Sequence, residues 1–205
     1  MKLQIIPSII TKNQKELSER ISKVKRYANL IHLDVMDGKF VRNKSLMFDF
    51  KLPNGKYEAH LMIRNPFHWI KKNIRKVDFI FLHVESENLE NSISLIKKHK
   101  KKFGISLNPR TNLNELEKFA DFEKILIMSV NPGRYGAKFL PSSLKKIREA
   151  RMKHPKIDIE VDGGVNLMTI KKVKNVGANK FVVGSYLQKS EDVRLAINEL
   201  KRLIK

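Results

Sequence analysis

The stretch "IHLDVMDGKF" at residues 31–40 sets His32, Asp34 and Asp37 into an otherwise apolar, β-branched run. An ionisable group buried there without a partner costs several kcal/mol, so these side chains must bind a metal, move a proton, or mark a strand end and turn. His60 in "YEAHLMI" and Asp162 in "IDIEVDGG" stand in similar surroundings. The chain has no cysteine, so a metal would have to be held by His, Asp, Glu or backbone oxygen. His32, Asp34, His60 and Asp162 make an all-N/O set suited to one divalent cation. Taken singly, each histidine reads equally well as a satisfied core residue, and no spacing here is as specific as a zinc-finger motif. The metal reading rests on all four converging.

Convergence depends on the elements that carry them. Eight short β-branched runs, "LQIIPSI", "LIHLDVM", "YEAHLMI", "DFIFLHVE", "FGISLN", "KILIMSV", "IDIEVDGG" and "KFVVGS", alternate with amphipathic charged segments. Those segments are "NQKELSERISKVKRYA", "NPFHWIKKNIRK", "NLENSISLIKKH", "NLNELEKFA", "SSLKKIREARMK", "NLMTIKKVKNVG" and "SEDVRLAINELKRLI", most with Asn, Ser or Thr near the start to cap the helix. Only the second crossover, from Ser45 to Lys56, is poor in helix signal. The alternation predicts an α/β fold, a single (β/α)8 TIM barrel spanning residues 1–205 as one catalytic domain. An open doubly wound sheet is the alternative, but no Gly-rich dinucleotide loop follows the first strand.

In a barrel, polar residues late in each strand meet at the C-terminal mouth. Strand alternation puts His32, Asp34 and Met36 on one face, and pairs His60 with Met62, His83 with Glu85, Ser106 with Asn108, and Glu160 with Asp162. His83 is expected to support a ligand from behind, while His68, His99 and His154 read as surface or packing residues. Asp34 and Asp162 come from the second and seventh strands and can approach a central ligand from opposite sides. One could take a proton from one face of a carbon while the other returns one to the opposite face. A proton α to a ketone needs its enediolate stabilised, which a bound metal would do. The set therefore points to a metal-assisted epimerase.

"VDGGVN" and "VVGSY" follow the seventh and eighth strands, where barrels often cradle a phosphate on backbone N–H groups and a helix N-terminus. Gly163, Gly164, Gly184 and Ser185 are the candidates, with simple turns as the alternative. "NPGRYGAKF", carrying Gly133 and Gly136 after the sixth strand, reads as a lid over the ligand or as an ordinary long turn.

The net charge of +21 is compatible with nucleic acid, anionic substrates or a lysine-rich proteome. The lysines fall at polar helix positions without interleaved aromatics, which favours a solvated outer face over a specific nucleic-acid groove. The N-terminal apolar run is short for a signal peptide and no run approaches a membrane span, so no membrane partner and a cytoplasmic location are expected.

The ordered pieces "PSI", "HLDVMDGKFV", "HLMIRNP", "LNPRT", "MSVNPG", "KFLPSSLKKI", "VDGGVN" and "VVGS" together resemble the ribulose-phosphate 3-epimerase family over essentially the whole chain. The resemblance implies interconversion of D-ribulose 5-phosphate and D-xylulose 5-phosphate, phosphorylated ketoses, through a cis-enediolate. It also implies one divalent metal per subunit, zinc, iron, manganese or cobalt, and a homo-oligomer. By motif the metal ligands fall on His32, Asp34, His60 and Asp162, and the acid/base pair on Asp34 and Asp162. Ser8 and His60 fall near the substrate, and Met36, Met62 and Met128 beside the enediolate. Two departures stand out: Arg42 where the family usually has Pro, and Arg134, Tyr135 and Ala137 in a loop that usually reads close to "NPGFGGQKF". A relative acting on allulose 6-phosphate would share these ligands, and an idle phosphate-binding or nucleic-acid-binding barrel is the non-catalytic alternative.

Overall fold

A computed structural model describes residues 1–133 and 136–205. Its strands are β1 (Gln4–Ile9), β2 (Ile31–Asp37), β3 (Lys44–Ser45), β4 (Tyr57–Met62), β5 (Phe79–His83), β6 (Lys102–Leu107), β7 (Lys124–Met128), β8 (Asp158–Asp162) and β9 (Lys180–Val183). All but β3 run parallel in the order β1-β9-β8-β7-β6-β5-β4-β2, and β2 pairs back onto β1, closing an eight-stranded barrel. The extra strand β3 is a two-residue antiparallel partner at the end of β2. The helices are α1 (Gln14–Lys25), α2 (Phe67–Asn73), α3 (Leu89–Lys98), α4 (Ser143–Lys153), α5 (Ile170–Asn175), α6 (Ser185–Lys189) and α7 (Val193–Ile204).

Strand periodicity divides the core in two. One parity of each strand, such as Leu33 and Val35 in β2, Ala59 and Leu61 in β4 and Leu82 in β5, packs outward with α1, α4 and α7 residues in one large apolar cluster. Burying a side chain of this size contributes about 1.5–3 kcal/mol. The opposite parity fills the interior, with Phe79, Phe81, Leu126 and Met128 in one cluster and Met36 and Met62 in another. Gly104 in β6 reflects how full that interior is: a Cβ there would lie 2.6 Å from the Phe81 ring and 2.8 Å from the Lys124 carbonyl.

Two helices start on a side-chain cap, whereas Asn88, Ser142 and Thr169 open α3, α4 and α5 without one. Asn13 accepts the Glu16 N–H at 2.9 Å, and Asp192 accepts the Leu195 N–H at 3.0 Å. The helix-poor second crossover is indeed without a helix. It is pinned from outside instead: Trp69 Nε1 donates to the Leu46 carbonyl (3.2 Å), Lys76 Nζ to the Phe50 carbonyl (2.8 Å), and Gln14 bonds both backbone groups of Lys51.

Two elements differ from the sequence reading. "NLNELEKFA" yields only a 3-10 segment, Leu113–Lys118, whose buried Leu113 and Leu116 stand three apart as that tighter turn requires. The five-residue helix α6 is too short to leave a periodic signal.

Candidate active site

Register brings the site together. Parallel pairing sets Asp34 beside His60 and Met36 beside Met62 across β2 and β4, and Met128 beside Asp162 across β7 and β8. One nitrogen or oxygen from each of His32, Asp34, His60 and Asp162 lies within 4.8 Å of the others. His60 Nδ1 is 3.2 Å from Asp34 Oδ1 and 3.4 Å from Asp162 Oδ2, and His32 Nε2 is 3.5 Å from Asp34 Oδ1. Both imidazoles are fully buried, while Asp34 and Asp162 keep 4% and 8% of their surface exposed. The aspartates therefore meet solvent only at the cleft.

Each histidine is held from behind. His32 Nδ1 lies 2.9 Å from Glu58 Oε1 and 3.2 Å from Glu160 Oε1. His60 Nε2 lies 2.8 Å from His83 Nε2, and His83 Nδ1 is 3.0 Å from Glu85 Oε2. Glu85 in turn accepts the Asn108 N–H at 3.0 Å and the Thr111 hydroxyl. A proton on His83 Nδ1 donated to Glu85 leaves His83 Nε2 to accept from His60 Nε2–H, and His60 Nδ1 is turned toward the two aspartates. His83 thus stands behind a candidate ligand, as its parity suggests.

Burial and charge set the protonation states. Burial opposes charge on His32, but the neighbouring carboxylates of Asp34, Glu160 and Glu58 outweigh it and hold this ring well above the ordinary imidazole value. His60 is raised too, burial being overcome by Asp162 and Asp34. Burial likewise opposes ionisation of Asp34, yet the two rings hold its carboxyl below the usual range. Burial drives His83 down to about 4, keeping it neutral. Of the two glutamates below, burial and the Glu58 charge push Glu160 up, whereas His32 and Lys124 hold Glu58 down against its burial.

The donor set fits a divalent cation. His32 Nε2 is buried and has no hydrogen-bond partner among the described residues, a costly state for an imidazole nitrogen unless something else is to take its lone pair. Two imidazoles and two carboxylates also match a borderline or hard transition metal.

Above this cluster lies a cleft lined by Ser8, Asp34, Met36, Met62, Met128, Gly133, Gly136, Asp162, Gly163, Gly164, Gly184 and Ser185. It therefore gathers the sequence-predicted positions, apart from His32 and His60, which lie beneath it. Gly163 and Gly164 take positive φ, 112° and 65°. A Cβ on Gly163 would collide with Val130 and one on Gly164 with the Phe139 backbone, so glycine is needed for the turn itself. The Ser129 hydroxyl donates to the Gly163 carbonyl at 2.5 Å and secures that turn. Gly184 caps α6, which at five residues offers local backbone amides and little macrodipole.

Asp37 has a different task. Its carboxylate accepts the N–H groups of Lys39, Phe40 and Arg64, at 2.8, 2.8 and 2.9 Å, and so makes the turn after β2. Ala137 lines the cleft and Arg42 is exposed; Arg134 and Tyr135 lie outside the described residues. His68 and His99 are exposed and His154 half-buried. Sequence reasoning passed over Glu58 and Lys124 and noted Glu160 only for its parity. The signal was present, since Glu58 and Lys124 share the inward parity of His60 and Met128.

No helix among the described residues is long and apolar enough to cross a membrane. Solved structures confirm the architecture: 3-hexulose-6-phosphate synthase from Salmonella typhimurium superposes with a TM-score of 0.72 over 98% of each chain at 14% identity, a likeness of fold alone. Sequence comparison goes further. The chain is 37% identical to the ribulose-phosphate 3-epimerase of Bacillus subtilis (strain 168), covering 97% of this chain and 98% of that protein. It is 34% identical to the ribulose-phosphate 3-epimerase of Escherichia coli (strain K12), over 96% and 94% respectively. The pattern described as the ribulose-phosphate 3 epimerase family matches residues 4–188, and the chain belongs to that family of isomerases.

Proposed function

We propose that this 205-residue chain is one catalytic domain that epimerises C3 of a ketose phosphate, converting D-ribulose 5-phosphate to D-xylulose 5-phosphate. The observation that carries the reading is the placement of two carboxylates: Asp34 and Asp162, from β2 and β8, flank one nitrogen of His60 and both border the cleft.

The ionised member of the pair removes the C3 proton from one face, and the C3–H electrons form the C2–C3 double bond of an enediolate. The protonated member then delivers its proton to C3 from the other face, inverting that centre and leaving the pair with exchanged protonation states. His32, Asp34, His60 and Asp162 would hold one divalent cation, zinc, iron, manganese or cobalt, which when bound offsets the negative charge developing on the substrate oxygens. Each aspartate has two oxygens, so one can serve as ligand while the other faces carbon. Met36, Met62 and Met128, all nearly fully buried, keep water from the reacting carbon. Ser8 contacts the sugar, and backbone amides at Gly163, Gly164, Gly184 and Ser185 take the phosphate, with Gly133 and Gly136 in the loop that covers it.

Phosphate binding holds the sugar in register, so free ribulose should be a very poor substrate. The test is turnover of D-ribulose 5-phosphate beside D-allulose 6-phosphate with defined metal and salt. A larger kcat/KM for the pentulose supports the assignment. A larger value for the hexulose transfers the assignment to that sugar, and no turnover of either by folded, metal-loaded protein favours a non-catalytic barrel.

A further inference from the structure

Lys124 is the first residue of β7, where a lysine would ordinarily reach solvent, yet it turns into the barrel. Its side chain is only 16% exposed and its Nζ lies 4.2 Å from the Phe79 ring centroid. The ammonium ends 2.8 Å from Glu58 Oε2 and 3.9 Å from Glu160 Oε2, and neither glutamate has exposed surface. The other oxygen of Glu58 stands 2.9 Å from His32 Nδ1. A connected line thus runs Lys124, Glu58, His32 across β7, β4 and β2, and ends at the orphaned nitrogen His32 Nε2.

His32, Glu58 and Glu160 also satisfy the distance requirement for a cation site of their own. Lys124 already supplies the positive charge there, on the side of His32 away from the cleft. Two carboxylates beside one buried imidazole cannot be kept in place without such a counter-charge.

We propose that Lys124 is a positioning residue: through Glu58 it fixes the His32 ring as an Nδ1–H donor and so aims Nε2 at the metal position. This rests on the reading of the four-residue cluster as a metal centre. Without the ammonium, Glu58 Oε2 loses a 2.8 Å partner and the carboxylate that orients the ring is free to turn. Disturbing the partners behind a metal-bound histidine typically costs about 10–100-fold in metal affinity.

The test uses the full chain, its K124M variant and the K124M/E58Q double variant. Zinc affinity is measured by chelator competition, and the His32 Nδ1–H proton is followed by NMR in the zinc-loaded proteins. K124M keeps the aliphatic bulk over the phenylalanines. In the double variant the uncompensated charge is gone while the amide oxygen can still accept from His32. The expected result is zinc binding weakened by about 10–100-fold in K124M, with the Nδ1–H signal lost, and both largely recovered in the double variant. Unchanged affinity and signal in K124M overturn the inference alone. A loss that the double variant does not recover makes the role one of general packing and overturns it too. Absence of zinc binding by the unaltered chain overturns the metal-centre reading and this inference together.

Discussion

Two groups of charges share the interior of one barrel, and they are built differently. On the floor, Lys124 meets Glu58 at 2.8 Å and Glu160 at 3.9 Å, with no exposed surface on the glutamates. At the mouth, Asp34 and Asp162 meet the imidazoles of His32 and His60 and turn their remaining surface to the cleft. The floor sets its charges against one another, and among the described residues His32 Nε2 and both Glu160 oxygens are left without a hydrogen-bond partner. Charge closed on itself holds geometry; charge left facing a cleft can react. The contrast yields effects of different kinds, and these can be ranked.

The largest effect belongs to the mouth. Asp34→Asn and Asp162→Asn should each lower turnover by about 10²–10⁴-fold or more, because one face of C3 loses its proton carrier. One of the two variants should still exchange the C3 proton with solvent deuterium, and metal content must be measured alongside since both aspartates are proposed ligands. Near wild-type turnover in either variant would break the two-face mechanism.

On the floor the effect should fall on stability. Glu58→Ala removes one member of a buried charge cluster and leaves its partners unpaired, so the midpoint of urea unfolding should drop by the equivalent of about 3–5 kcal/mol. A variant as stable as the parent would show that the floor charges are not mutually dependent.

The pH dependence links the two regions. His32 and His60 are raised by the surrounding carboxylates, so without metal they hold their protons more tightly than an ordinary imidazole, and a metal must displace them. Zinc binding should therefore release protons and weaken as pH falls, read by calorimetry in buffers of different ionisation enthalpy. The stability of the metal-free fold has the opposite sign. A raised histidine stabilises fully below its unfolded value and loses that contribution as pH climbs through the folded one. Zinc affinity independent of pH between 6 and 8, an interval of about one unit on either side of neutrality, would contradict the protonation assignment.

Gly163→Ala should have the smallest effect. Its φ of 112° and the adjacent Val130 oblige the turn to shift, at a cost of about 1–3 kcal/mol. KM for the sugar phosphate should rise more than kcat falls; the reverse pattern would mean that this turn serves the chemistry and not the phosphate.

Much of this contrast was legible in the sequence, but unevenly. Strand parity located His32, Asp34, His60 and Asp162, because a polar residue in an apolar β-branched run is conspicuous. The lack of helix signal likewise separated the crossover at 45–56 from the others. Lys124 escaped because a lysine opening a strand looks like any solvated strand end, even though it shares the inward parity of Met128. Glu58 was masked by Tyr57 and Ala59, which make the strand start look like an ordinary amphipathic edge. Asp37, at the end of β2 and of opposite parity to Asp34, is marked as a turn-maker by the three backbone N–H groups around it. Arg134 and Tyr135, which depart from the family's usual loop, lie outside the described residues, and the choice between pentulose and hexulose phosphate stands on the turnover comparison.

The central claim is proton transfer at C3 between two aspartates and solvent-exchangeable carboxyl groups. It is tested most directly by running metal-loaded protein on D-ribulose 5-phosphate in deuterium oxide and reading the C3 position of the product by NMR. The account predicts D-xylulose 5-phosphate carrying deuterium at C3, with formation abolished by a strong chelator. Product that retains the original hydrogen at C3, or full turnover after the metal is stripped, would contradict it.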